Sequence, residues 1–236
     1  MKKGILFDKD GTIMDVASYW VSLSSQVAEY VLKELIGITD ENIHREMMKE
    51  IGVDDKGEII DEGLIIAGTN YEISVVWHNV MKKNGYNLDK EVIDFMEKSF
   101  IKFCGCGEVV PTTDKLIEIF KKLKEIGYNI GIATSDEYDS AVFCIDKLGI
   151  SHLVDDIFSA DLVENPKPSS DTMNLVYKRW KIPAKDIIMI GDSVGDMMFA
   201  KNSGCKGVFI SKNDFLPDGA QTVVDNIENL DLDFLL

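Results

Sequence analysis

Four short apolar runs punctuate the chain, and each ends in polar or glycine-bearing residues. They are Ile5-Leu6-Phe7 before Asp8, the NIGIA stretch before Thr134, the IIMI stretch before Gly191-Asp192, and the GVFI stretch before Ser211. Runs that are apolar on both faces suit strands of a parallel sheet covered on each side. Between them the period becomes helical. Leu116, Ile119, Phe120, Leu123 and Ile126 recur at helical spacing and stop at Gly127, and Met173, Val176, Tyr177 and Trp180 repeat the pattern. Alternating strand and helix predicts a doubly wound, mostly parallel α/β sheet.

One interval breaks this rhythm. From about residue 16 to residue 109 only helical patterns occur: Trp20, Leu23, Val27, Tyr30 and Val31, then ENIHREMMKEI, YEISVVWHNVMKK and KEVIDFMEKSFIKF. The pattern predicts a helical insertion, 16–109, after the first strand of an α/β core made of 1–15 and 110–236. The return leg, CGCGEVVP, is glycine-rich and ends at Pro111, as suits a hinge. Cys104 and Cys106 on that leg are read as small linker residues rather than as ligands.

Charge narrows the partners. With 25 Lys and Arg against 41 Asp and Glu, the formal net charge of -16 repels polyanions, so neither nucleic acid nor an anionic membrane is expected as a partner. The apolar run behind MKK meets Asp8 far short of a signal-peptide core, and no segment approaches the roughly 18 apolar residues of a membrane span. Cys104, Cys106, Cys144 and Cys205 lack paired zinc spacing and are too scattered for a disulfide framework. We expect a reduced, soluble, cytoplasmic protein.

The chemistry gathers where the predicted strands end. Open parallel sheets bind ligands in the crevice at the strands' carboxyl ends. That crevice should receive Asp8 and Asp10, Thr134 and Ser135, Lys167 from the ENPKPSS loop, and Asp192 and Asp196 from GDSVGD. Each is weak alone, since a D-x-D is usually a solvated turn and a G-D-S usually a helix cap. Four carboxylates at close range require raised pKa values or a cation. With no His or Cys among them, a hard oxygen-seeking ion such as Mg²⁺ fits. Adding a hydroxyl and an ammonium describes a site for a phosphoryl group. An aspartate meeting a phosphate dianion costs roughly 4 kcal/mol per unit charge pair at about 4 Å and an effective dielectric near 20, which Mg²⁺ and Lys167 would offset.

In order along the chain, DKDGT, ATS, KPSSD and GDSVGD resemble the four motifs of the haloacid dehalogenase-like hydrolase superfamily. The helical insertion resembles that family's cap of the first type, as in phosphoglycolate phosphatase-like and beta-phosphoglucomutase-like members. The resemblance implies a Rossmann-like core, a cap that closes over the site, and hydrolysis of a small phosphorylated metabolite through an aspartyl-phosphate. By the same resemblance Asp8 is the nucleophile. Asp10 protonates the leaving oxygen, then activates water, and its backbone carbonyl also binds Mg²⁺. Thr134 and the Ser135 amide hold phosphoryl oxygens, Lys167 ties nucleophile to phosphate, Asp192 ligates Mg²⁺, and Asp196 supports it.

Other readings stay open at this level. Asp10 argues against dehalogenation, which releases no oxygen that needs a proton. A phosphomutase keeps all four motifs, and phosphonate hydrolysis would need a Schiff-base lysine such as Lys82 or Lys83. A receiver-like signalling domain gathers similar residues in a different order, and a silent binding protein would lack catalytic residues that are all present here. Trp20 and Trp77 either face the substrate or, as is usual for aromatics at helical spacing, pack in the core of the insertion, and His78 is expected as a structural or surface histidine rather than an acid-base group. Asp136, beside the phosphate-binding turn, either starts the next helix or points into the site and disfavours substrates carrying a second anion.

Overall fold

The computed structural model describes residues 3–60, 63–103, 105–213 and 215–230. In chain order β1 (Lys3–Phe7) is followed by helices α1 (Val16–Ile36), α2 (Glu41–Glu50), α3 (Leu64–Ala67), α4 (Asn70–Lys83) and α5 (Val92–Lys102). Strand and helix then alternate: α6 (Leu116–Glu125), β2 (Tyr128–Ala133), α7 (Tyr138–Lys147), β3 (Asp156–Phe158), α8 (Asp171–Trp180), β4 (Ile187–Gly191), α9 (Val194–Ser203), β5 (Lys206–Ile210) and β6 (Thr222–Val224). The chain divides into two compact units, Met1–Asp15 with Val109–Leu236, and Val16–Glu108.

The first unit is a doubly wound α/β fold with one six-stranded sheet ordered β3-β2-β1-β4-β5-β6. Every pairing is parallel. The four apolar runs of the sequence lie in β1, β2, β4 and β5. The two outer strands, β3 and β6, have three residues each, too few to produce a periodic signal. Alternation along β1 sends its side chains to opposite faces. Phe7 stacks on Phe120 of α6 with ring centroids 4.8 Å apart. Leu6 instead joins the apolar cluster that holds Val176 and Trp180 of α8. The Trp180 indole N–H donates to Asp156 Oδ2 at 2.5 Å, so α8 is pinned to the end strand as well as packed on the sheet.

Sequence register sets the level of the functional turns. Phe7 pairs with Ile132 on one side and with Ile190 on the other. The Asp8 N–H donates to the Ile190 carbonyl at 2.8 Å, which carries the ladder one residue past β1. The turns after β1, β2 and β4 therefore leave the sheet within a residue or two of one level, on strands about 4.8 Å apart.

The second unit is helical, and its core joins Leu23, Val27 and Leu32 of α1 to Met47 of α2, Trp77 of α4 and Phe100 of α5. Local chemistry fixes the helix starts. The Asp40 carboxylate accepts the N–H groups of Asn42 and Ile43 at the head of α2, and Thr69 with Glu72 forms a reciprocal capping box at α4. Trp77 is wholly buried and donates its indole N–H to the Met47 carbonyl at 3.0 Å. His78 is buried too, its Nε2 3.0 Å from the Leu88 carbonyl. Both residues thus belong to the core of this unit. Lys82 and Lys83 are exposed, and Lys83 pairs with Glu46 at 2.6 Å, an arrangement unlike that of a buried Schiff-base lysine. Cys104 lies outside the described residues, and Cys106 is exposed. No described helix is long and apolar enough to cross a membrane.

Candidate active site

Asp8 is the first residue beyond β1 and is buried. Lys167, from the loop before α8, donates to Asp8 Oδ1 and to Asp196 Oδ1, each at 2.6 Å. Its ammonium is almost fully enclosed, with the lysine side chain 5% exposed. Asp192, after β4, accepts a hydrogen bond from the Thr12 hydroxyl at 3.1 Å. One carboxylate oxygen from each of Asp8, Asp192 and Asp196 lies within 4.8 Å of the others.

Helix capping positions Asp196. Ser193 is the N-cap of α9 and Asp196 is its third residue, each bonding the other's backbone N–H. The Ser193 hydroxyl also donates to Asp196 Oδ2 at 2.6 Å, leaving Oδ1 to meet Lys167. Glycine lets the backbone approach two of these carboxylates closely. A Cβ at Gly191 would collide with the Asp196 carboxylate, and one at Gly11 would collide with that of Asp192. Gly11 also has φ +76, a left-handed conformation that costs a residue with a Cβ.

The electrostatics follow from burial and crowding. Burial, opposed by Lys167 and reinforced by Asp196 and Asp192, raises the Asp8 carboxyl from 3.8 to about 7. Burial is also the main cause at Asp192, which rises to about 6 against the hydrogen bond from Thr12. Burial works to deprotonate Lys167, yet the charges of Asp8 and Asp196 outweigh it and hold its pKa above the usual lysine value. One ammonium thus faces three carboxylates, a deficit of positive charge that an oxygen-seeking divalent ion would relieve. The donor set contains only carboxylate oxygens, so these residues fit Mg²⁺.

Not every expected residue joins this cluster. The Asp10 carboxylate stands outside it, 42% exposed, and meets Lys9 at 2.5 Å. Among the described residues the structure therefore gathers three carboxylates rather than four. Thr134 is buried, its N–H bonded to the Phe158 carbonyl and its Oγ1 accepting the Asp136 N–H at 3.1 Å. Ser135 follows it at the exposed start of the turn.

Asp136 sits at the head of α7. Its Oδ1 accepts the Glu137 N–H at 2.9 Å, and its Oδ2 accepts the Ser140 hydroxyl at 2.6 Å and faces Lys9 at 3.4 Å. The negative charge is therefore answered locally. Two residues that bear on the site, Thr12 and Lys9, draw no role from the sequence pattern, and Ser193 draws only that of a helix cap. The S-x-x-D spacing of Ser193 and Asp196 was the available sign of a cap, whereas nothing in the pattern marked Lys9 as buried. Beside Asp192, a cleft of about 440 Å³ is lined by Thr12, Asp15, Ser211 and Asp225.

Comparison with known proteins finds relatives of partial length. A pyrophosphatase PpaX from Bacillus velezensis is 30% identical over 116 residues, 49% of this chain and 52% of that protein. A phosphoglycolate phosphatase from Vibrio cholerae is 27% identical over 84 residues, 36% of this chain and 37% of that one. The chain thus spans about half or less of the length of these relatives. The fold extends further: the crystal structure of a subfamily IA hydrolase from Geobacter sulfurreducens superposes with TM-score 0.64 at 16% identity, covering 100% of this chain and 97% of that one. The family model described as haloacid dehalogenase-like hydrolase matches residues 5–210, from β1 through β5 and across every turn described above, and the chain belongs to that family.

Proposed function

We propose that the chain is a Mg²⁺-dependent phosphatase that hydrolyses a small phosphomonoester through an aspartyl-phosphate on Asp8. The observation that carries this reading is the Lys167 ammonium shared at 2.6 Å by Asp8 and Asp196 within the three-carboxylate cluster. A carboxylate beside a buried ammonium can approach an anionic ester, which a bare acidic cluster would repel.

In this reading Asp8 attacks phosphorus, the bond to the ester oxygen breaks, and Asp10 gives that oxygen a proton. Asp10 then takes a proton from water as the water attacks the aspartyl-phosphate, releasing inorganic phosphate and restoring Asp8. Lys167 offsets charge on the phosphoryl oxygens, and Thr134 with the Ser135 backbone amide holds them. Asp8, the Asp10 backbone carbonyl and Asp192 would hold Mg²⁺, with Asp196 in support. Bound there, the ion would supply positive charge to the phosphoryl group. The Val16–Glu108 unit corresponds to the family's helical cap. Relatives named as phosphatases support the reaction class.

Phosphate release from a panel of sugar phosphates, nucleotides and phosphoglycolate, with Mg²⁺ and with EDTA, tests the reading. Metal-dependent release of phosphate is the expected result. Isomerisation of an ester without release would replace the phosphatase with a phosphomutase, and inertness toward every ester would overturn both.

A further inference from the structure

Lys9 is an unusual lysine, because only 2% of its surface is exposed although it lies in the bend that follows β1 and Asp8. Its ammonium meets Asp10 Oδ1 at 2.5 Å and Asp136 Oδ2 at 3.4 Å. Asp136 is itself held in place. Its two carboxylate oxygens accept from the Glu137 N–H and the Ser140 hydroxyl, and its carbonyl accepts the Ala160 N–H at 3.0 Å. The start of α7 therefore anchors Asp136, Asp136 faces Lys9, and Lys9 grips Asp10. This chain of contacts is separate from the Lys167 bridge, which serves Asp8 and Asp196.

We propose that Lys9, seated by Asp136, is a positioning residue that fixes the Asp10 carboxyl for proton transfer to the leaving oxygen. The inference rests on the reading of Asp10 as acid and base given above. Asp10 is 42% exposed, so water alone could solvate its carboxylate, whereas the buried Lys9 ammonium depends on Asp10 and Asp136 to answer its charge. What the pair supplies to Asp10 is orientation. Lys9 occupies Oδ1 and leaves Oδ2 to carry the proton, restricting a side chain that would otherwise sample several rotamers. Holding a catalytic group in its reactive geometry is a main source of rate.

The test compares kcat/KM, which reports on steps through formation of the phosphoenzyme, for an alkyl phosphate and for p-nitrophenyl phosphate. The nitrophenolate leaves without a proton, so only the alkyl ester depends on a well-placed acid. Asp10→Asn serves as reference and should raise the aryl-to-alkyl ratio. Lys9→Met should lower kcat/KM for the alkyl ester about tenfold, a fraction of the roughly 10²- to 10⁴-fold that a positioned acid contributes. It should raise the aryl-to-alkyl ratio in the same sense as Asp10→Asn. Lys9→Arg should recover part of the loss. Asp136→Asn, which keeps the lysine and guards against a Lys9 variant that fails to fold, should shift the ratio less but in the same direction. A ratio that moves in Asp10→Asn and stays fixed in both Lys9→Met and Asp136→Asn overturns the positioning role alone. A ratio unmoved by Asp10→Asn overturns the acid role and the proposal with it.

Discussion

The Lys167 ammonium donates to the Asp8 carboxylate at 2.6 Å, joining residues 159 positions apart in the chain. Because the lysine side chain is only 5% exposed, this contact is a buried ion pair, and in the proposed mechanism it also steadies the phosphoryl charge. Replacing Lys167 with Met should leave Asp8, Asp192 and Asp196 to repel one another. Activity should fall by about 10²-fold or more, the scale seen when a charge-stabilising donor is removed. Stability at pH 7.5 should drop by about 3 kcal/mol, as for a buried pair that loses one partner. Urea unfolding at pH 5 and pH 7.5 checks this, with the smaller loss at pH 5, where the carboxyls take up protons.

Metal binding and pH should be coupled. Asp8 and Asp192 are raised from 3.8 to about 7 and about 6, mainly by burial. In the metal-free protein the folded state therefore retains protons that the unfolded chain has already lost, so stability falls as pH rises from about 4 to about 7. A divalent ion bound by these carboxylates would replace those protons. The rise in melting temperature on adding Mg²⁺ to EDTA-treated protein should be larger at pH 7.5 than at pH 5, by roughly 5 °C. Equal shifts at the two pH values would contradict the coupling.

Gly11 tests how closely the backbone must approach Asp192. A Cβ there would strike the Asp192 carboxylate, and the φ of +76 adds backbone strain. Gly11→Ala should cost about 1–3 kcal/mol of stability from the strained conformation alone. It should also weaken Mg²⁺ activation, because the carboxylate must move. Titrating activity against Mg²⁺ should give a half-maximal concentration at least about tenfold higher, whereas an unchanged titration would mean that Asp192 tolerates displacement.

These relationships differ in how far they could be read from the chain. Asp8, Asp192 and Lys167 were legible because they follow apolar runs or sit in a marked loop, and strand ends in a parallel sheet converge. β3 and β6 were not, since three residues carry no period. Nor was the separation of Asp10 from the other carboxylates, which depends on a lysine folding under its own turn to meet Asp136. Spacing reports which residues share an edge of the sheet. It does not report how carboxylates divide between two ammonium groups, which is decided by side-chain packing from α7 and from the loop before α8.

In the helical unit, Trp77 is the largest fully buried side chain, stacked on Phe100 at 5.3 Å between ring centroids. Trp77→Ala should destabilise this unit by about 3–5 kcal/mol through the cavity it leaves. Trp77→Phe keeps the apolar packing but leaves the Met47 carbonyl without its donor, costing about 1–3 kcal/mol. Denaturant unfolding of both variants should rank them in that order, and equal losses would show that the cavity left by the ring adds nothing to the loss of the indole N–H.

Covalent chemistry at Asp8 is the core of the account, and mass analysis of acid-quenched enzyme tests it most directly. Protein mixed with Mg²⁺ and the best ester of the panel should carry a phosphoryl group on the peptide containing Asp8, and Asp8→Asn should show neither that adduct nor turnover while melting as a folded protein. A phosphoryl group found on another residue, or steady phosphate release by Asp8→Asn, would contradict it.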